Sequence, residues 1–170
     1  MPFTPFHFGI ALLLFTVMPF LDPLALFIGS VVPDIEGITA VFIFPDSGLP
    51  LHGPLHSFFG AVILGILTGI LSYFVLTKIG ISETLNNKLS INITLKKSVV
   101  SAFLGTFSHI ILDAPLYNDM DPFLPLIGNP TDYTDNPLYG IVPYATPYFI
   151  CIIGFFLGVL ILLIQFRRWE

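Results

Sequence analysis

Four histidines and several carboxylates are the side chains of this sequence that could do chemistry. Imidazole and carboxylate groups together suit zinc or another borderline divalent metal better than magnesium or calcium, which prefer all-oxygen shells. The six candidate metal ligands are His7, Asp34, His52, His56, His109 and Asp113. They predict a metal centre, provided that the fold brings them together.

The spacing within two pairs of these residues supports that interpretation. His109 and Asp113 are four residues apart, so on a helix they share one face and can bind one ion or two adjacent ions. His52 and His56 have the same spacing, although Gly53-Pro54 favours a helix that begins only after His52. Six candidates exceed the three or four protein ligands of one zinc. Two ions that share a bridging carboxylate would use them more fully.

The composition indicates the kind of fold that must position these residues. Of the 170 residues 55% are hydrophobic and 10% are charged, and the mean hydropathy is +0.90. Soluble domains carry roughly 25% charged residues. The chain is therefore predicted to be an all-α integral membrane protein, with residues 1–170 as a single membrane domain.

Apolar runs locate the predicted helices, since about 20 apolar residues are needed to span a bilayer. Residues 1–46 contain two shorter runs around Asp22-Pro23 and are predicted to form a short helical hairpin. Pro33 and Gly37 favour a break near Asp34 over one continuous helix. The spanning helices are predicted at residues 54–78, 97–117 and 145–168, with an irregular outer loop at 118–144.

The basic residues predict the orientation in the membrane. All six lie in two places, the third connection and the C-terminus: Lys78, Lys88, Lys96, Lys97, Arg167 and Arg168. Three spanning helices put both places on one side, which is then cytoplasmic, with the N-terminus outside a cell membrane. Of the eleven acids only Glu83 and Glu170 are assigned to that side. The acidic outer side argues against nucleic-acid binding, which requires Lys and Arg.

This topology brings the candidate ligands to one end of the helices, on the non-cytoplasmic side. Two interpretations of that layer remain open: a metal centre, or a polar network that only holds the helices together. A carboxylate such as Asp113 within an apolar run needs a partner, because an unpaired charge near lipid costs several kcal/mol. Asp22 and Asp46 are interpreted as caps or solvated loop residues, and the acids of the outer loop as a solvated face.

Four short motifs carry a resemblance to a known family. They are Thr4-Pro5-Phe6-His7, Pro33-Asp34-Ile35-Glu36, His52-Gly53-Pro54-Leu55-His56-Ser57 and Ser108-His109-Ile110-Ile111-Leu112-Asp113. In this order the chain resembles the membrane-bound metal-dependent hydrolases related to the LexA-regulated inner-membrane protein of bacteria. Those proteins are similar to zinc-dependent phospholipase C. The resemblance covers nearly the whole chain.

The resemblance implies zinc-dependent hydrolysis of a phosphoester in a membrane lipid or a lipid-linked molecule. Glu36 or Asp34 would accept the proton of the attacking water, and Glu36 is the predicted catalytic base. The motif of the bacterial proteins contains an Arg suited to clamp a phosphate oxygen, and that Arg is missing here. The alternative is a non-catalytic membrane protein with a structural metal site. A metal carrier is disfavoured, because the cytoplasmic halves of the predicted helices are almost wholly apolar.

Overall fold

The structure is a computed structural model that describes residues 4–46, 48, 50–89, 92–127 and 136–166. Within those ranges the regular structure is entirely helical, which confirms the predicted all-α class. The α-helices are α1 (His7–Val17), α2 (Pro23–Gly29), α3 (Ile35–Ile38), α4 (Phe58–Lys78), α5 (Ile81–Leu89), α6 (Leu95–Asp113) and α7 (Thr146–Phe166). Three-residue 3₁₀ turns occur at Thr4–Phe6, Val32–Asp34 and Pro54–His56, and a π-helical turn at Thr39–Ile43.

Four helical segments of the described chain are long and apolar enough to span a membrane, whereas three were predicted. They are Pro23–Ile43, Phe58–Lys78, Leu95–Asp113 and Thr146–Gln165, and α1 is a shorter apolar helix. The additional segment joins α2, the Val32–Asp34 turn and α3, so its α-helix is interrupted just before Asp34, close to the predicted break. Pro33 occupies the first turn of the Val32–Asp34 3₁₀ helix, where its missing N–H costs no helical hydrogen bond. The protein is therefore an all-α membrane protein with one candidate span more than predicted.

Glycines allow α6 to lie directly against α2. A side chain at Gly29 would collide with the backbone carbonyl of Ala102, and one at Gly105 with that of Leu26. Small residues at such crossings are typical of helix packing in membranes, where close backbone approach replaces the hydrophobic driving force. The close approach brings the end of α2 and the turn that follows it beside the C-terminal half of α6.

Asp22 caps α2 and joins it to the start of α6. Its side chain accepts hydrogen bonds from the N–H groups of Leu24 and Ala25, at 3.1 and 3.2 Å, and from the Ser98 hydroxyl at 2.6 Å. The interpretation of Asp22 as a cap is confirmed. Because Ser98 directly follows Lys97, Asp22 lies at the basic end of the bundle. The assignment of only Glu83 and Glu170 to that end was therefore wrong.

Several sequence predictions concern residues beyond those that the structure describes. Arg167, Arg168 and Glu170 lie outside the described residues, as do residues 128–135 of the predicted outer loop. The described parts of that loop consist of turns. The third connection, by contrast, contains the helix α5, which was not predicted.

Candidate metal centre

A compact group of four side chains lies at the end of the bundle opposite Asp22. Asp34, His56, His109 and Asp113 each offer one ligand atom, and these atoms all lie within 4.8 Å of one another. All four residues are buried. Two imidazoles and two carboxylates match the ligand number and types of a zinc site. This group could hold a metal ion.

The distances within the group show how its ligand atoms converge. The Nε2 atom of His109 lies 3.2 Å from Oδ2 of Asp113 and 3.6 Å from Oδ1 of Asp34. The Nε2 atom of His56 lies 4.0 Å from that same oxygen of Asp34. Neither Nε2 atom has a hydrogen-bond partner among the described residues. Buried polar atoms without partners are costly, and a cation between them would satisfy both nitrogens, so the residues fit a metal ion.

The main chain of the α2–α3 connection orients His109. Its Nδ1 atom lies 2.8 Å from the carbonyl oxygen of Ser30. A carbonyl can only accept a hydrogen bond, so Nδ1 carries a proton, and Nε2 is the nitrogen that could bind a metal in the group. This is the arrangement that histidine ligands of metals usually have. The close packing of α2 on α6 is what places Ser30 there.

Glu36 orients His56 in a similar way. The Nδ1 atom of His56 lies 2.9 Å from Oε2 of Glu36, and the other carboxylate oxygen accepts the N–H of Leu55 at 3.3 Å. Burial lowers the pKa of His56 despite the opposing hydrogen bond to Glu36, which favours the neutral ligand form. Glu36 thus lies on the edge of the ring opposite Nε2. The catalytic role of Glu36 stays a prediction, and these contacts favour an orienting role instead.

His7 lies beside the four-residue group. Its ring stacks on that of His109, with centroids 3.9 Å apart and planes inclined by 23°. Its Nε2 atom is 3.3 Å from Oδ1 of Asp113, while Oδ2 of the same carboxylate faces His109. The two oxygens of Asp113 thus face different histidines, and His7 is a described residue beside the group that could contribute a further ligand.

The structure places His52 near the group but outside it. Its Nδ1 atom lies 3.0 Å from Oδ2 of Asp119, and its ring is edge-on to His56 at 4.9 Å. The segment before α4 is a bend and a 3₁₀ turn, and Ser57 caps the helix. The four-residue spacing of His52 and His56 therefore does not put them on one helix face, as it does for His109 and Asp113.

Two acids of the outer loop differ from the predicted solvated face. The side chain of Asp119 is 45% exposed but contacts His52, and Asp121 is only 1% exposed. The sequence alone indicated no role at the site for either of these two residues. The available signal was their position just after the segment that contains Asp113, and it does not distinguish a buried acid from a solvated one.

Tyr117 is a further residue at the site that the sequence did not indicate. It follows Asp113 by four residues, and its ring stacks on that of His52 with centroids 4.0 Å apart. Its hydroxyl oxygen is buried and makes no hydrogen bond of acceptable geometry to any described residue. Burial, and then the charge of Asp113, raise the pKa of Tyr117 above its usual range. The hydroxyl therefore keeps its proton and remains a potential donor.

The chain has no significant match among protein-family models, curated proteins or solved structures. The described residues define an all-α membrane protein with a buried group of histidines and aspartates that could hold a metal ion. The family resemblance stays a prediction that rests on the four motifs.

Proposed function

We propose that this protein is a membrane-embedded, metal-dependent hydrolase that acts on a phosphoester of a lipid or lipid-linked substrate at the non-cytoplasmic interface. The buried group of Asp34, His56, His109 and Asp113, with two inward-facing Nε2 atoms, is the observation that carries the proposal. Its mixture of imidazole and carboxylate ligands favours zinc, although another divalent transition metal could bind to the same ligands.

Each residue of the group has a separate part in this proposal. The four-residue group would hold one ion, and His7 with the second oxygen of Asp113 would hold the other. A metal here would supply Lewis-acid chemistry, lowering the pKa of water and neutralising charge on phosphoryl oxygens. Ser30 and Glu36 would fix the ring orientations of His109 and His56, so that little reorganisation accompanies binding.

Two neighbouring cavities support a lipid as the substrate. A cavity of about 190 Å³ between α1 and α7 has an apolar lining that includes Phe6, Cys151 and Phe155. A second cavity, of about 10 Å³, shares Phe6 and Cys151 with the first and is also lined by His7 and Asp113. The apolar cavity therefore lies next to the small cavity that His7 and Asp113 line. An acyl chain in the apolar cavity would leave its head group near the metal ligands.

The proposal places the N-terminus outside the cell and the C-terminus in the cytoplasm, because the basic residues around α5 favour the cytoplasmic side. We predict that Tyr139→Cys reacts with a membrane-impermeant maleimide in intact cells, whereas Glu83→Cys reacts only after permeabilisation. Both positions are exposed and lie at opposite ends of the bundle. Both variants are made in a Cys151→Ala background. Labelling of Glu83→Cys in intact cells would show that the protein has the opposite topology.

A zinc-dependence assay tests the hydrolase itself. We expect the detergent-purified protein to cleave a phosphodiester of a short-chain lipid in mixed micelles, to lose that activity with a chelator and to regain it with zinc. Circular dichroism would establish that the chelated protein is still folded. Protein that is folded and loaded with zinc but turns over no phosphoester, in micelles or in solution, contradicts the proposal.

A structural metal site is the second candidate, and one observation favours it. His109 and Asp113 are 0% and 1% exposed, as expected for ligands of a closed site whose metal contributes folding energy. In that case chelation would unfold the protein. Zinc would then raise stability without any catalytic turnover.

A further inference from the structure

The described part of the metal-centre end contains no Lys or Arg, the side chains that most often bind phosphate. Lys78, Lys96 and Lys97 lie at the other end of the bundle, by the start of α6 and the end of α4. Phosphoryl oxygens are usually held by Arg, Lys, N–H or hydroxyl donors. A phosphoester site here therefore needs an uncharged donor near the ligands.

Tyr117 is fixed in place to serve as that donor. Its backbone N–H donates to the carbonyl of Asp113 at 3.3 Å, and its own carbonyl accepts from Asn136 Nδ2 at 2.6 Å. His52, which stacks on the Tyr117 ring, is itself held by Asp119. Main chain and ring are thus restrained from three separate parts of the chain.

The hydroxyl of Tyr117 is the unsatisfied atom of this assembly. Buried tyrosine hydroxyls usually have a partner, yet this one has none of acceptable geometry among the described residues. The Tyr148 hydroxyl is near enough for a weak hydrogen bond with it, and the Asp113 carboxylate and Tyr144 are near enough to act on it electrostatically. Tyr148 also lines the small cavity that contains His7 and Asp113. A rigid, buried donor beside a candidate metal centre is suited to an anionic ligand.

We propose that the Tyr117 hydroxyl donates a hydrogen bond to an oxyanion bound at the metal centre, in the place of a basic side chain. The ligand class is a tetrahedral phosphate group, as a monoester, a diester or the free ion. This inference rests on the proposed function. It makes Tyr117 a substrate-binding residue, and it leaves the metal ligands as already assigned.

Tyr117→Phe tests the inference, because it removes one oxygen and keeps the ring that stacks on His52. Binding of inorganic phosphate to the zinc-loaded protein in detergent is measured by calorimetry. We expect roughly ten- to a hundredfold weaker binding, the effect of losing a hydrogen bond to a charged group. Zinc affinity should be unchanged. Tyr139→Phe, at an exposed position, is the matched control and should bind phosphate normally.

The outcomes separate the inference from the function on which it rests. Unchanged phosphate binding by Tyr117→Phe would overturn the inference alone. Wild-type protein that binds zinc but no phosphate would overturn the proposed function as well. If Tyr117→Phe does not fold, Tyr117 is replaced by 3-fluorotyrosine, whose more acidic hydroxyl should tighten phosphate binding at a pH where the phenol stays protonated. Unchanged affinity in that variant would also overturn the inference.

Discussion

Asp113→Asn and His109→Ala are each expected to weaken zinc binding by about a hundredfold or more. A structural zinc site is worth roughly 10–16 kcal/mol at neutral pH, so one of four ligands contributes about 3 kcal/mol, or about two powers of ten in affinity. Asp113→Asn keeps the size of the side chain and removes its charge. Zinc competition with a chromophoric chelator measures the dissociation constants in detergent.

His52→Ala is the matched control for these variants. It also removes a buried histidine, but one whose Nδ1 contacts Asp119 and which lies outside the four-residue group. Its zinc affinity should stay within a few-fold of the wild type. A larger loss from His52→Ala than from His109→Ala would mean that His52 is a ligand, as the sequence predicted, and that the four-residue group is not the centre.

Stability distinguishes the metal centre from a polar network without metal. Zinc at 100 times its dissociation constant should raise the free energy of unfolding by about 2.7 kcal/mol. That increase should fall to about 0.4 kcal/mol or less in Asp113→Asn at the same zinc concentration. In a network without metal, the substitution would change stability equally with and without zinc.

Much of the site was predictable because it depends on where helices end. His109 and Asp113 share a face of α6 through their spacing alone, and helices that run back and forth return the other ligands to the same layer. His52 lies outside the four-residue group and stays a predicted ligand, because the position of a residue before a helix depends on turn geometry that spacing does not reveal. The fourth candidate span arises because α2, the 3₁₀ turn that contains Pro33 and α3 follow one another closely, although the α-helix itself is interrupted between Gly29 and Ile35.

The orienting contacts could not be predicted, because they cross between elements far apart in sequence. The Ser30 carbonyl reaches His109 only because Gly29 and Gly105 let α2 and α6 approach so closely. Asp119 and Tyr117 lie in the turns after α6. The sequence of these turns has no hydrophobic periodicity from which their path could be predicted. A sequence pattern therefore gives the candidate ligands, while the packing decides which atoms of them face each other.

The contacts of Glu36 favour an orienting role over a catalytic one, and Glu36→Gln tests that role. As an orienting carboxylate, Glu36 increases the basicity of His56 through the 2.9 Å contact with Nδ1. Removing such a partner typically costs 10–100-fold in metal affinity. We expect zinc affinity to fall by about that factor in Glu36→Gln, while the hydrolysis rate at saturating zinc stays close to that of the wild type.

A catalytic base at position 36 would give the opposite result. Zinc affinity would be retained, and the rate at saturating zinc would fall by about 10²–10⁴-fold, the usual contribution of general-base catalysis. Glu83→Gln, at an exposed site on α5, should change neither quantity. Because the affinity measurement needs no substrate, it tests the orienting role even if the activity assay finds no turnover. Unchanged affinity in Glu36→Gln would show that His56 is held by its backbone and packing alone, and would return Glu36 to its predicted role as the base.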